Sequence, residues 1–224
     1  MTPKLKLVIG NKNYSSWSMR AWVLLRQAGI PFEEIPLKFD ENARAKGVEY
    51  FSPTRQVPVL LLNDAPVWDS LAICETVAEL YPEKRLLPEH PRRRAVARSI
   101  CAEMHAGFRE LRNAMPMNIR ASLPGKGMSE AVQRDITRVV DAWCDCREQF
   151  GGSGELLFGH FTVADAYYAP VVMRFMTYDV PLPPAARQYV EAVRALPAVA
   201  EWMGAARRET EFVAADEPYA ERQG

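Results

Sequence analysis

Four hydroxyls fall within five residues of this chain. Tyr14, Ser15, Ser16 and Ser18 surround Trp17 in the stretch NKNYSSWSMRAWVLL, residues 11–25. The β-rich run KLKLVIG (4–10) precedes them and an apolar helical run follows from Met19, so they sit where a strand hands over to a helix. One use for such residues is capping, and Ser18 is the expected cap. Another is holding a thiolate. A free thiol has a pKa of about 8.5 and is mostly protonated at neutral pH, yet the thiolate is the nucleophile. A hydroxyl donating to sulfur and the positive end of a helix both favour the anion.

Three further segments carry chemistry or positioning. In RQVPVL (55–60) a proline opens a strand, as sheet edges and bulges allow. A cis Val57–Pro58 bond there would turn the Val57 N–H and C=O outward to pair with an extended ligand. In WDSLAICETVAEL (68–80), Asp69 and Ser70 open a helix. Either residue serves as a cap; together with the helix N-terminus they also suit a ligand carboxylate at Ser70 and a ligand ammonium at Asp69. In FTVADAYYAPV (161–171), Thr162 and Asp165 have capping-box spacing, which makes them structural.

The elements that must position these residues divide the chain. Strand, helix and strand patterns cover 4–10, 19–29 and 31–39, and a hairpin at 56–68 leads into a helix over 69–82. The proline-rich PEKRLLPEHP (82–91) reads as a linker, after which every pattern is helical. Val96, Ile100, Met104, Phe108, Leu111 and Met115 make one stripe, and Val132 to Phe150 another. Residues 161–178 are apolar nearly all round and predict a central buried helix. Shorter helices are expected near 184–195 and 198–210, and a poorly ordered polar tail, AADEPYAERQG. The expected fold is an α/β thioredoxin-like domain over 1–82, a linker over 83–91 and an all-helical domain over 92–224.

Composition excludes several function classes. The 224 residues carry 28 basic and 28 acidic side chains, so the formal net charge is zero and no nucleic-acid partner is expected. No apolar run has the length of a membrane span, and the N-terminal apolar stretch is too short for a signal peptide; a cytoplasmic protein is expected. Cys74, Cys101, Cys144 and Cys146 lack ligand spacing to one another or to His90, His105 and His160. No metal is expected, and the cysteines read as small core residues.

In this order and spacing, SPTRQVPVL, DSLAICETVAELYP and FTVADAYYAPV resemble the proline segment, the glutathione motif and the buried-helix capping signature of the glutathione S-transferase superfamily. SSWSMR is similar to the start of its zeta class, with Trp17 in place of a cysteine. Asp69 stands where that class has glutamine. Arg174 falls about three residues before the arginine that its isomerases use for substrate. The resemblance implies glutathione as co-substrate, a homodimer and attack of the thiolate on a small hydrophobic electrophile, by conjugation, isomerisation or peroxide reduction. It implies Ser15 as the thiolate donor with Ser16 in support, and Tyr14 as the second choice. Gln56, Val57, Pro58, Asp69 and Ser70 then bind glutathione, and Trp17, Met104, Phe108, Arg112 and Met115 wall the electrophile pocket, although such a stripe is first of all a packing face. The alternative is a glutathione-binding carrier or regulatory protein of the same fold.

Overall fold

The structure is a computed structural model that describes residues 3–220. The first half is β1 (Leu5–Ile9), α1 (Ser16–Gln27), β2 (Glu33–Pro36), β3 (Val59–Leu62), β4 (Ala65–Val67) and α2 (Ser70–Leu80). The sheet has the order β2-β1-β3-β4, with β2 parallel to β1 and both β3 and β4 antiparallel to their neighbours. The helical crossover explains the parallel pair and the Asn63-Asp64 turn the hairpin; both turn residues have positive φ.

Strand alternation assigns the two faces of the sheet. Leu5, Leu7 and Ile9 of β1 and Leu60 of β3 enter the main core with α1 and α2. Val8, Val59 and Leu61 form a small cluster on the other face with Ile35, Leu37 and Phe51 against them.

The second half is helical: α3 (Pro91–Ala106), α4 (Arg109–Ala114), α5 (Glu130–Phe150), α6 (Val163–Thr177), α7 (Pro184–Arg194) and α8 (Pro197–Arg208). The α6 helix is buried on nearly every side and packs against α1 and α3. Its capping box is present: Asp165 accepts from the Thr162 N–H at 2.9 Å and the Thr162 hydroxyl at 3.1 Å.

Two expectations change. The stripe from Val96 to Met115 is not one helix. The chain breaks after Ala106, with Gly107 extended and Phe108 at φ +58°. Arg112 closes the broken end, donating to the carbonyls of Gly107 (2.9 Å), Met104 and His105 (3.3 Å), so orphan C=O groups of α3 gain a side-chain partner. The tail is also ordered through residue 220. A 3-10 turn at Ala214–Asp216 seats it, and Tyr219 donates to the Ala114 carbonyl at 2.7 Å. Residues 221–224 of the expected disordered tail lie outside the described residues.

Candidate active site

The strand-to-helix junction forms one end of a cleft of about 1300 Å³. Ser15, not Ser18, caps α1: its Oγ accepts from the Ser18 N–H at 3.4 Å and donates to Ser18 Oγ at 2.7 Å. Ser18 is fully buried and accepts from the Gly10 N–H at 3.1 Å, tying the end of β1 to the helix start. Ser16 opens the helix and accepts from Arg174 Nη2 at 3.2 Å. Both Ser15 and Ser16 line the cleft.

Tyr14 also lines the cleft, and its hydroxyl is engaged with the C-terminal segment. Its hydroxyl donates to Glu217 Oε1 at 2.7 Å and accepts from Arg120 Nη2 at 2.8 Å. Burial, aided by Glu217, raises its pKa. The phenol proton is donated to Glu217 of the C-terminal segment.

Gln56, Val57, Pro58, Asp69 and Ser70 all line the same cleft. The Val57–Pro58 peptide is cis, as is Trp68–Asp69. The Val57 N–H and C=O make no hydrogen bond among the described residues, which leaves a backbone donor and acceptor for an extended partner. Asp69 caps α2, its Oδ1 accepting from the Leu71 N–H at 2.8 Å and its Oδ2 lying 3.0 Å from His105 Nε2. Ser70 is the first residue of α2, and its hydroxyl lies 3.1 Å from the Tyr167 hydroxyl.

The other wall differs from the expected apolar one. Met104, Phe108 and Met115 are buried core residues and do not line the cleft. That face of the stripe packs inward, as the spacing of a bundle helix requires. Trp17 and Arg112 do line it, joined by His105, Asn113, Pro116, Met117, Arg174 and Asp216. The Trp17 ring stands edge-on to His105 at 5.2 Å, with the guanidinium groups of Arg20 at 4.2 Å and Arg112 at 4.8 Å.

The cationic character of this wall is its main electrostatic feature. Arg174 donates to Ser16 and to the carbonyls of Met115 (2.9 Å) and Pro170 (3.4 Å), with no carboxylate among its hydrogen-bond partners. Burial lowers its pKa to about 9, with repulsion from Arg112 and Arg20 adding to the shift. Burial likewise lowers Arg112 to about 10. Fully buried Arg20 has no hydrogen-bond partner among the described residues and lies between the Trp17 and Tyr167 rings. The His105 pKa is lowered by burial although Asp69 opposes the shift.

The family resemblance implied an arginine about three residues after Arg174, yet Arg174 itself lines the cleft. His105 and Asp216 had no local signal. The first is one step around α3 from core residue Met104, and the second lies in a polar tail.

Comparison with known proteins agrees with the fold. The family model "Glutathione S-transferase, N-terminal domain" matches residues 14–80, and "Glutathione S-transferase, C-terminal domain" matches residues 127–205. Rat maleylacetoacetate isomerase is 28% identical over 173 residues, 76% of this chain and 78% of the relative. Arabidopsis thaliana glutathione S-transferase Z2 is 25% identical over 201 residues, 84% of this chain and 87% of the relative. A glutathione transferase homolog from Burkholderia gl BGR1, solved with bound glutathione, superposes with a TM-score of 0.70 at 26% identity, over 92% of this chain and all of the other. With both halves matched in order, on a four-stranded mixed sheet followed by a helical region, the chain belongs to the glutathione S-transferase superfamily.

Proposed function

We propose that the chain is a glutathione-dependent enzyme that holds the glutathione thiol as a thiolate at Ser15 and directs it at a small electrophile bearing a carboxylate. One observation carries this reading: the hydroxyls of the junction, the free Val57 backbone groups and the α2 N-terminus share a single cleft with Arg112 and Arg174. Peptide and thiolate occupy the first wall, and the electrophile's charge meets the second.

In this reading Val57 pairs with the peptide backbone of glutathione, and Gln56 and Pro58 shape that edge. Ser70 and the α2 N-terminus take the γ-glutamyl carboxylate. Asp69 meets the ammonium group; a carboxylate has about four lone-pair sites, so its contacts to Leu71 and His105 leave room for one more donor. The Ser15 proton rests on a neutral hydroxyl, and a thiolate is the better acceptor because charge-assisted bonds are roughly twice as strong. Trp17 walls the reacting centre. Conjugation and isomerisation by addition and elimination use the same groups, and the name of the rat relative is that of an isomerase. The small hydrophobic electrophile of the sequence reading gives way to an anionic one because the wall carries arginines.

A second donor is favoured by the Arg174 contact. Ser16 accepts from Arg174, so its own proton is free and its hydroxyl is polarised toward donation. A homodimer also belongs to this reading, on the family resemblance and the exposure of Tyr50 (83%) and Trp68 (44%). A monomer mass by light scattering at micromolar concentration would overturn it.

The test is calorimetry with glutathione, then turnover with chloroacetate against the neutral 1-chloro-2,4-dinitrobenzene. Binding with preference for the anion, reduced at least tenfold by Arg174→Met, is expected. Binding without turnover on either would return the chain to the carrier reading.

A further inference from the structure

The reading above gives no role to the segment after α8, which contributes Asp216 to the lining of the cleft. It is held at both ends. The Glu209 carboxylate accepts from the Lys12 N–H at 2.7 Å and the Asn13 N–H at 3.0 Å. Arg120, from the α4–α5 connection, donates to the carbonyls of Glu209 and Glu211. Farther on, Glu217 takes the Tyr14 hydroxyl and Tyr219 reaches Ala114. Between these fixed points Asp216 lines the cleft.

Its carboxylate differs from the other acids there. Asp40 accepts from the N–H groups of Asn42 and Arg44, each at 2.9 Å. Asp69 pairs with Leu71 and His105, and Glu49 is exposed. The half-buried Asp216 carboxylate receives no hydrogen bond among the described residues. Two neighbouring groups bear on its charge, Arg174 from α6 and Glu217 on its own segment, and the Asp216 charge in turn raises the pKa of Tyr178 at the end of α6.

We propose that Asp216 takes up a proton when an anionic electrophile settles beside Arg174, and delivers that proton to the carbanion made when thiolate adds to a double bond. This rests on the anionic-electrophile reading and goes beyond it by naming the acid. Burial already raises the Asp216 pKa to about 6, with Arg174 opposing and Glu217 assisting. A bound anion that pairs with Arg174 removes the opposing influence and adds a like charge, so the acid form gains further. A group poised in this way near neutral pH suits proton delivery.

The step balances. A sulfur lone pair forms the S–C bond, and the π pair moves to the far carbon or its conjugated carbonyl oxygen. The Asp216 O–H bond breaks to protonate that site. Water then reprotonates the carboxylate, replacing the proton the thiol lost on ionising. Displacement of chloride needs no such proton, because the leaving group takes the electron pair.

The test has two arms. Succinate, which cannot react, is titrated into the protein near pH 7 in buffers of different ionisation enthalpy, without glutathione. Wild type should take up a measurable fraction of a proton per succinate, and Asp216→Asn almost none. With saturating glutathione, addition to benzoylacrylate is then compared with displacement on chloroacetate. Asp216→Asn should lower the addition-to-displacement ratio at least tenfold and remove the alkaline limb of the addition profile, and Asp216→Glu should restore part of the ratio. Succinate binding without proton uptake, or an unmoved ratio, would overturn the inference and leave the anionic reading in place. No succinate binding at any pH would remove both.

Discussion

Ser15 donates its proton to Ser18 Oγ, the two oxygens 2.7 Å apart, whereas Ser16 spends only a lone pair, on Arg174. The thiolate titration of the glutathione complex separates them. Ser15→Ala should raise the thiol pKa toward its free value of about 8.5 and lower turnover ten- to a thousandfold, the order expected for one lost donor to an anion when solvent can partly replace it. Glutathione affinity should change little. If Ser16→Ala alone shifts the thiol, the Arg174-polarised donor is the correct one. Ser70 makes the complementary prediction. Its hydroxyl lies at the start of α2, where a charge-assisted contact is worth about 1.5–3 kcal/mol, so Ser70→Ala should weaken glutathione more than about tenfold by calorimetry with the fold intact. The residues proposed for glutathione could be picked out in sequence because each lies in a short motif, SSWS, QVP or DS, and they line one cleft. Of the residues expected opposite them, Trp17 and Arg112 also line it, whereas His105, Arg174 and Asp216 come from α3, α6 and the segment after α8 and are joined only by tertiary packing. The helical period of Met104, Phe108 and Met115 marked first of all a packing face, and that is the role they take in the core.

At the scale of elements, α6 depends on a single carboxylate. Asp165 accepts four hydrogen bonds: from the Thr162 N–H and hydroxyl, the Leu157 N–H at 3.2 Å and the Tyr189 hydroxyl at 3.2 Å. All four partners are donors, and Asn offers one oxygen where Asp offers two. Asp165→Asn should therefore cost about 2–4 kcal/mol, because buried donors are left unpaired, while turnover per folded molecule stays within twofold. Burial raises the Asp165 pKa to about 6 in spite of these bonds. With a folded pKa above the unfolded value near 4, the native state binds the proton more tightly between those limits. The stability of wild type over Asp165→Asn should be greatest below pH 4 and shrink as pH rises through 6. Urea melts at pH 4.5 and 7.5 would measure the difference, and a gap that widens with pH would reverse the assignment. The capping-box spacing made this element readable in advance. The break after Ala106 was not readable, because Phe108 keeps the apolar period while adopting a positive φ, and its stabilisation comes from Arg112 reaching back over α3.

At the scale of the whole molecule, the segment after α8 joins parts far apart in sequence. Glu209 lies 197 and 196 residues from the Lys12 and Asn13 N–H groups that it accepts from. Arg120 bridges its carbonyl to Tyr14, and Val213 is fully buried. Composition described only its last part, from Ala214, as polar and therefore loose, yet through residue 220 that part is seated by the Glu217 and Tyr219 contacts, which hydropathy does not register. The contacts converge on the loop that sets the start of α1, so the segment supports both stability and the position of Ser15. Glu209→Ala should leave two part-buried N–H groups without their acceptor. Charge-assisted bonds contribute about 1.5–3 kcal/mol each and water can replace part of that, so a loss of about 1–3 kcal/mol is expected. The same variant should speed amide hydrogen exchange at residues 12–16 more than anywhere in α5, because the released loop is where Glu209 acts. Glu209→Gln, which keeps one oxygen acceptor, should fall between the two. Uniform loss of protection across α5 and the junction would mean that the segment only adds global stability. Protection lost first at the junction, together with a raised thiol pKa, would tie the C-terminal segment to the reactivity of the site.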